Sequence, residues 1–154
     1  MYSTAVITVS DKGAAGQRTD TAGPACEEIL KQNGWDVVFT AIVPDEYDKI
    51  REVLLHCVDE KINLIVTTGG TGFSHRDVTP EATLSVIQRE VRGIPEAMRA
   101  ESMKITAMGM LSRAVCGIRQ DSLIVNLPGS EKAAKENLLA VIGPIKHVSI
   151  HRKF

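Results

Sequence analysis

The 154-residue chain has no surplus of either charge: 18 Lys and Arg stand against 19 Asp and Glu, a formal net charge of -1. That balance leaves no electrostatic footprint for nucleic acid or anionic lipid. No apolar run approaches the ~20 residues that a bilayer span needs. The opening stretch MYSTAVITVSDKG has no basic region ahead of its apolar residues, so it does not read as a signal peptide. Cysteines are few and odd in number: Cys26, Cys57 and Cys116, with no CxxC. This excludes a disulfide framework. Cys26 and Cys57 fall on apolar helical faces and read as buried free thiols, which fits a reducing cytoplasm. Internal repeats, low-complexity runs and linkers are also missing. The length fits one domain spanning 1–154.

What is present alternates. TAVITVS, Thr4 to Ser10, is short, β-branched and apolar, which predicts a buried strand. The polar loop DKGAAGQRTDTAG follows. Pro24 suits a helix start. Ala22, Cys26, Ile29 and Leu30 share a helical face, and Gly34 suits the C′ position beyond its end. Trp35 to Val43 is a second strand, and Tyr47, Ile50, Leu54, Cys57 and Val58 mark a second helix. Asn63 to Thr68 is a third strand, continuously apolar as parallel strands tend to be. Thr79 is expected to cap a third helix, with Pro80 at N1. Asp45 could cap the second helix, with Asp48 as a weak capping-box partner. The spacing from Pro95 to Met110 predicts a helix with Met98, Met103 and Met108 as core filler. SLIVNLPG, Ser122 to Gly129, is a further strand ending in a Pro-Gly turn. Ser130 caps a last helical region, expected to break around Gly143-Pro144.

Strand-helix-strand spacing of this kind implies an α/β chain with parallel strands, right-handed crossovers and helices on both faces. Ligands then bind beyond the carboxyl ends of the strands. The segments SDKG, PDE, TTGGTGFSHRD and NLPGS should meet there, although they are far apart in the chain.

Their chemistry suits an anionic ligand. Gly69, Gly70 and Gly72 permit positive φ and close approach, so successive N–H groups can converge on an anion. Thr67, Thr68 and Thr71 add hydroxyls beside a helix N-terminus. The same glycines also suit a plain turn. The loop lacks the Gly-Lys-Ser/Thr ending of a Walker A motif and the GxGxxG of a dinucleotide fold. Asp77 beside an anion cradle would repel the anion unless a cation such as magnesium intervenes; the alternatives are an ion pair with Arg76 or an Asx-turn. Asp45 sits at the same edge, where it serves as a cap or shares a metal with Asp77. Ser10 and Asp11 suit a turn or a ligand equally. Pro128-Gly129-Ser130 could bind a second anionic group or turn the chain. His147 and His151 read as an exposed helical face and His56 as a peripheral residue, while His75 lies inside the loop. No nucleophile elbow is present.

These segments now carry a resemblance. TTGGTGFSHRDVTPEAT, ITVSDKGAAGQRTDTAGP, VPDE, MLSRAVCGIR and LIVNLPGS resemble, in the right order, the motifs of the molybdenum cofactor biosynthesis family that includes MogA, MoaB and the G domain of gephyrin. The resemblance implies a three-layer α/β/α sandwich with a mostly parallel central sheet. It also implies binding of molybdopterin, whose terminal phosphate MogA-type members join to AMP from Mg-ATP with release of pyrophosphate. Carried over, the family's two important aspartates fall on Asp45 and Asp77, as catalytic and Mg2+-holding residues. The phosphate cradle falls on Thr68, Gly69, Gly70, Thr71 and Gly72, beside Ser10 and Asp11. The LSR motif places Ser112 and Arg113 near the ligand, and NLPG adds Asn126, Pro128 and Gly129. Position 130 is Ser where other members can have Asn or Gln, so it takes no assigned contact. The family further implies a homotrimer and contact with a molybdenum-insertion protein. Three readings stay open: an adenylyltransferase, a MoaB-type pterin-binding paralogue with weak or no transfer, and a gephyrin-like scaffold. A single short domain speaks against the scaffold, and both aspartates favour the enzyme.

Overall fold

Period-2 alternation in three central strands divides the interior of the molecule into two cores. In the computed structural model, which describes residues 2–151 (backbone only at 150 and 151), β1 spans Tyr2–Val9, β3 Leu64–Thr68 and β6 Ser122–Leu127. Val6, Leu64, Val66, Leu123, Val125 and Leu127 point to one face. There they pack with α2 (Ala22–Gln32), α5 (Gly93–Met103) and α6 (Glu131–His151). Ala5, Ile7, Val9, Ile65 and Ile124 point the other way, against α3 (Tyr47–Asp59) and α4 (Thr79–Val86). This is the three-layer sandwich that the alternation predicts, because each sheet face must be covered by helices.

The six-stranded sheet has the order β2-β1-β3-β6-β5-β4, with β2 at Trp35–Val43, β4 at Arg89–Glu90 and β5 at Cys116–Arg119. The β2, β1, β3 and β6 strands run parallel, and β5 pairs antiparallel with both β6 and β4. From β1 the chain steps outward to β2, then returns past β1 to β3. The reversal makes the β1/β3 boundary a topological switch point, where a crevice opens beyond the strand ends. Thr8 pairs with Thr68 there. A short helix, α1 (Asp11–Ala14), follows β1 directly, with Ser10 Oγ accepting from the Gly13 N–H.

Several local expectations need correction. Thr79 does not cap α4: it is the first helical residue, Val78 holds the cap position, and Pro80 lies in the first turn. Asp45 does not cap α3 either, since Glu46 occupies that position without a side-chain bond. The helix from Pro95 to Met110 is two pieces. The α5 helix ends at Met103, and a 3-10 turn, Ala107–Leu111, starts where Thr106 Oγ1 accepts from the Met108 N–H. Met98 is buried, but Met103 and Met108 are 46% and 66% exposed, so they are not core filler. The α6 helix runs through Pro144 unbroken. Proline removes one backbone donor, yet Val141, Ile142 and Ile145 are seated in the core around it and hold both halves in line. No helix among the described residues is long and apolar enough to cross a membrane. All three cysteines are buried and free, and burial pushes each thiol up to about 12.

Candidate active site

Four chain segments close on the switch point through backbone contacts. The Ser10 N–H donates to the Val43 carbonyl at 2.9 Å, and the Gly69 N–H to the Leu127 carbonyl at 3.1 Å. Gly69 has φ +96°, and a Cβ on it would overlap the Val9 carbonyl oxygen. Only glycine allows that approach. A Cβ on Gly129 would lie 3.3 Å from the Gly69 Cα, so the NLPG turn rests on the glycine loop. The carboxyl ends of β1, β2, β3 and β6 thus converge, as the sheet rule requires.

They surround a cavity of about 420 Å³, lined by Ser10, Asp45, Thr68, Gly69, Gly70, Asp77 and Gly129 among others. This size lies within the usual range for small-molecule sites. Its charged lining is Asp20, Asp45, Asp77 and Arg18. Three carboxylates against one guanidinium would repel a polyphosphate, so an anionic ligand needs a cation with it.

The acids are held by different means. Asp11 and Asp45 exchange bonds: the Asp11 N–H donates to Asp45 Oδ2 at 2.8 Å, and the Asp45 N–H to Asp11 Oδ1 at 2.9 Å. This exchange occupies Asp45 in place of helix capping. Arg76 does not pair with Asp77. Its Nε and Nη2 reach Asp11 Oδ2 and Oδ1 at 3.0 and 2.8 Å. The Arg76 hydrogen bond, helped by the Asp45 N–H, holds the Asp11 carboxyl below its ordinary range. Asp45 shifts the other way: burial raises it, partly offset by the Asp11 N–H, and the charges of Asp11 and Asp77 add to the rise. Asp77 closes a turn by accepting the Ser74 N–H on Oδ2 at 2.9 Å. A Cβ on Gly72 would sit 2.9 Å from that oxygen, which ties the glycine to the position of the acid.

Among the described residues, the Oδ1 atoms of Asp45 and Asp77 carry no internal hydrogen bond. Two hard oxygen donors of this kind suit magnesium, which takes one or two carboxylates plus substrate phosphates. Among the described residues no cluster of three or more His, Cys, Asp or Glu forms a complete metal cage.

Other residues singled out from the sequence lie outside the cavity lining. Arg113 grips the glycine loop from outside: Nε reaches the Gly72 carbonyl and Nη2 the Asp77 carbonyl, both at 2.8 Å, while Nη1 pairs with Glu81 at 2.7 Å. The Arg113 N–H also donates to the Thr71 carbonyl. Asn126 is fully buried, and its side chain bonds Thr67, Thr83 and the Val115 N–H. Ser112 accepts from the Ala114 N–H. Thr71 is buried, and Pro128 is half-buried beside the site. His56 packs on Phe39 with ring centroids 5.2 Å apart, and His75 is exposed on the loop. His147 is exposed, and the side chain of His151 lies outside the described residues.

Sequence reading missed the 18–22 stretch, which forms one wall. Asp20 accepts from Thr8 Oγ1 at 2.7 Å and from the Gly23 N–H at 3.0 Å, folding the polar loop over the end of β1. An Asp three residues before a glycine at a helix start was the available signal.

Comparison with known proteins follows the same outline. A family profile described as a probable molybdopterin binding domain matches residues 5–147. The chain is 44% identical over 139 residues to the molybdopterin adenylyltransferase of Haemophilus influenzae, covering 88% of this chain and 71% of that protein. It is 41% identical to gephyrin of Dictyostelium discoideum over 92% of its own length, but spans only 21% of gephyrin. The crystal structure of the molybdopterin biosynthesis enzyme MoaB of Thermus thermophilus superposes with a TM-score of 0.91 at 42% identity, covering 100% of both chains. On the fold, the cavity and the span of that match, the chain belongs to the molybdopterin-binding domain family of molybdenum cofactor biosynthesis.

Proposed function

We propose that this chain, as a single molybdopterin-binding domain, transfers AMP from ATP to the terminal phosphate of molybdopterin. The observation that carries this reading is one cavity joining a glycine cradle at Gly69 and Gly70 to two carboxylates, Asp45 and Asp77, with free Oδ1 atoms. Related proteins that carry the adenylyltransferase name are 40–44% identical to it.

A phosphate oxygen of the pterin attacks the α-phosphorus of ATP, the bond to the bridging oxygen breaks, and pyrophosphate leaves. The attacking phosphate is already anionic at neutral pH, so no side chain need remove a proton. The work of the chain is alignment and charge control. The Gly69-Gly70 backbone fixes a phosphate at the switch point, and Arg18, the one cation among the described lining residues, adds positive charge to the cavity. Asp45 and Asp77 would hold magnesium, which supplies neutralisation of the phosphate charge. Purified protein incubated with molybdopterin, ATP and magnesium should yield adenylylated pterin and pyrophosphate. Pterin binding without either product would favour the MoaB-type binder, a reading supported by the MoaB superposition.

Asp45→Asn separates charge from geometry. Asn keeps an acceptor for the Asp11 N–H, so the fold should hold, while transfer falls tenfold or more on the order of a lost charged contact. Burial raises Asp45 in the folded chain. Between the ordinary carboxylate value and that raised value the folded state binds a proton the unfolded state has lost, so stability declines as pH rises through the window. The Asn variant lacks this decline and should melt at or above wild type at pH 7. A lower midpoint at pH 7 with unchanged transfer would contradict both parts.

Assembly is expected to be trimeric. Met103, Ile105, Met108 and Met110 are each 46% exposed or more, an apolar ridge suited to a second copy; a monomer mass in solution would contradict it. Three buried reduced thiols fit the cytoplasm. A molybdenum-insertion protein would meet the product at the open carboxyl edge.

A further inference from the structure

Thr79 has a hydroxyl that nothing in the fold uses. Its residue is fully buried, and its Oγ1 lacks any hydrogen-bond partner. Buried polar atoms are nearly always satisfied, and an orphan counts against the folded state. Valine has the same shape without that cost. The hydroxyl therefore adds nothing to the stability of the fold.

Its surroundings point to a role. Thr79 stands directly behind Gly70, whose carbonyl accepts the Thr79 N–H at 3.2 Å. Gly70 has φ +70°, and a Cβ there would overlap Thr79 Oγ1 and lie 3.3 Å from Asp45 Oδ1. The orphan hydroxyl and a carboxylate oxygen of Asp45 thus both border the space that a Cβ on Gly70 would fill. Asp45 Oδ2 is already taken by the Asp11 N–H. Oδ1 has no donor.

We propose that Thr79 is a positioning residue for Asp45: across the gap at Gly70, its hydroxyl donates to Asp45 Oδ1 when the site is loaded, and fixes the carboxylate that holds the cation. Gly70 is the window that lets the two groups meet. The inference rests on the reading that Asp45 holds magnesium, and adds a residue that touches neither substrate nor metal. A carboxylate with one oxygen anchored by Asp11 and the other by Thr79 has a single orientation to offer. Without Thr79 it can rotate about its remaining bond.

The test compares Thr79→Val and Thr79→Ser with wild type by calorimetric titration with magnesium and ATP, thermal melting without ligand, and transfer rates across magnesium concentrations. The Val variant should melt at or above wild type, yet bind magnesium-ATP roughly tenfold more weakly and need correspondingly more magnesium for half-maximal transfer, as for a lost hydrogen bond to a charged group. The Ser variant should restore both. Wild-type affinity in the Val variant would overturn the proposal. So would a Val variant that melts well below wild type or fails to fold, because the hydroxyl would then serve the fold. A Ser variant as weak as Val would also overturn it. Wild-type protein that binds magnesium-ATP but transfers nothing removes the transferase reading, while the three affinities still decide the role of Thr79.

Discussion

Asp77→Ala is expected to cut AMP transfer by on the order of 10²–10³-fold, the loss typical of one preorganised charge-stabilising group in a transition state. The fold should survive. What the carboxylate does for the fold is small: one oxygen accepts the Ser74 N–H at 2.9 Å near the surface. Losing that bond costs about 1 kcal/mol, or a few degrees in melting midpoint for a domain of this size. The backbone of the segment stays tied, because Arg113 grips the Asp77 carbonyl rather than its side chain. Helix α4 keeps its start through the Thr79 N–H on Gly70 and the Arg113–Glu81 pair. Rates and midpoints measured on the same preparation check this. Wild-type turnover at saturating magnesium would remove Asp77 from the reaction.

Gly70→Val should be nearly as damaging at the binding step, and it should also cost stability. The position has φ +70°, where a β-branched residue is strained by roughly 1–3 kcal/mol. The structure adds a clash beyond that strain, since the first side-chain carbon overlaps Thr79 Oγ1. Binding should suffer more, because the added carbons fill the gap between Thr79 and Asp45 and displace the cradle. Ligand affinity is expected to fall below detection while the protein still melts cooperatively, several degrees lower. An unchanged affinity with a large midpoint drop would reduce the glycines to turn formers.

The parallel half of the sheet was legible because its strands carry their own signal. Leu64–Thr68 is an apolar run ending in two threonines and is buried throughout, and Trp35–Val43 has the boundaries its β-branched run suggests. The antiparallel half was not legible. The β4 strand is two exposed charged residues, and β5 is four residues closed by Gln120 at φ 51°. Neither has a pattern; β5 forms on the edge that β6 offers, and β4 on the edge of β5. The site divides in the same way. Asp45, Asp77 and the glycine loop could be placed by the rule for strand ends, whereas the partners that hold them could not. Arg76 reaches Asp11 across 65 positions, and Arg113 reaches Gly72 across 41. No local spacing encodes such pairs. Capping logic failed at Asp45 because the exchange with Asp11 took its carboxylate, and at Thr79 because the helix starts one residue earlier, with Val78 at the cap position.

The grip of Arg113 on the glycine loop acts through main-chain carbonyls at Gly72 and Asp77 and leaves the intervening side chains untouched. Phe73, Ser74, His75 and Arg76 all stand exposed between those two anchors. The loop tip is in effect a cassette clipped at both ends; Arg76 is tied to Asp11, while Phe73 and His75 stand free of the frame. Sequence drift, or a protein engineer, can rewrite Phe73 and His75 without breaking either anchor. What this loop shows to solvent can therefore evolve separately from the backbone that holds Asp77.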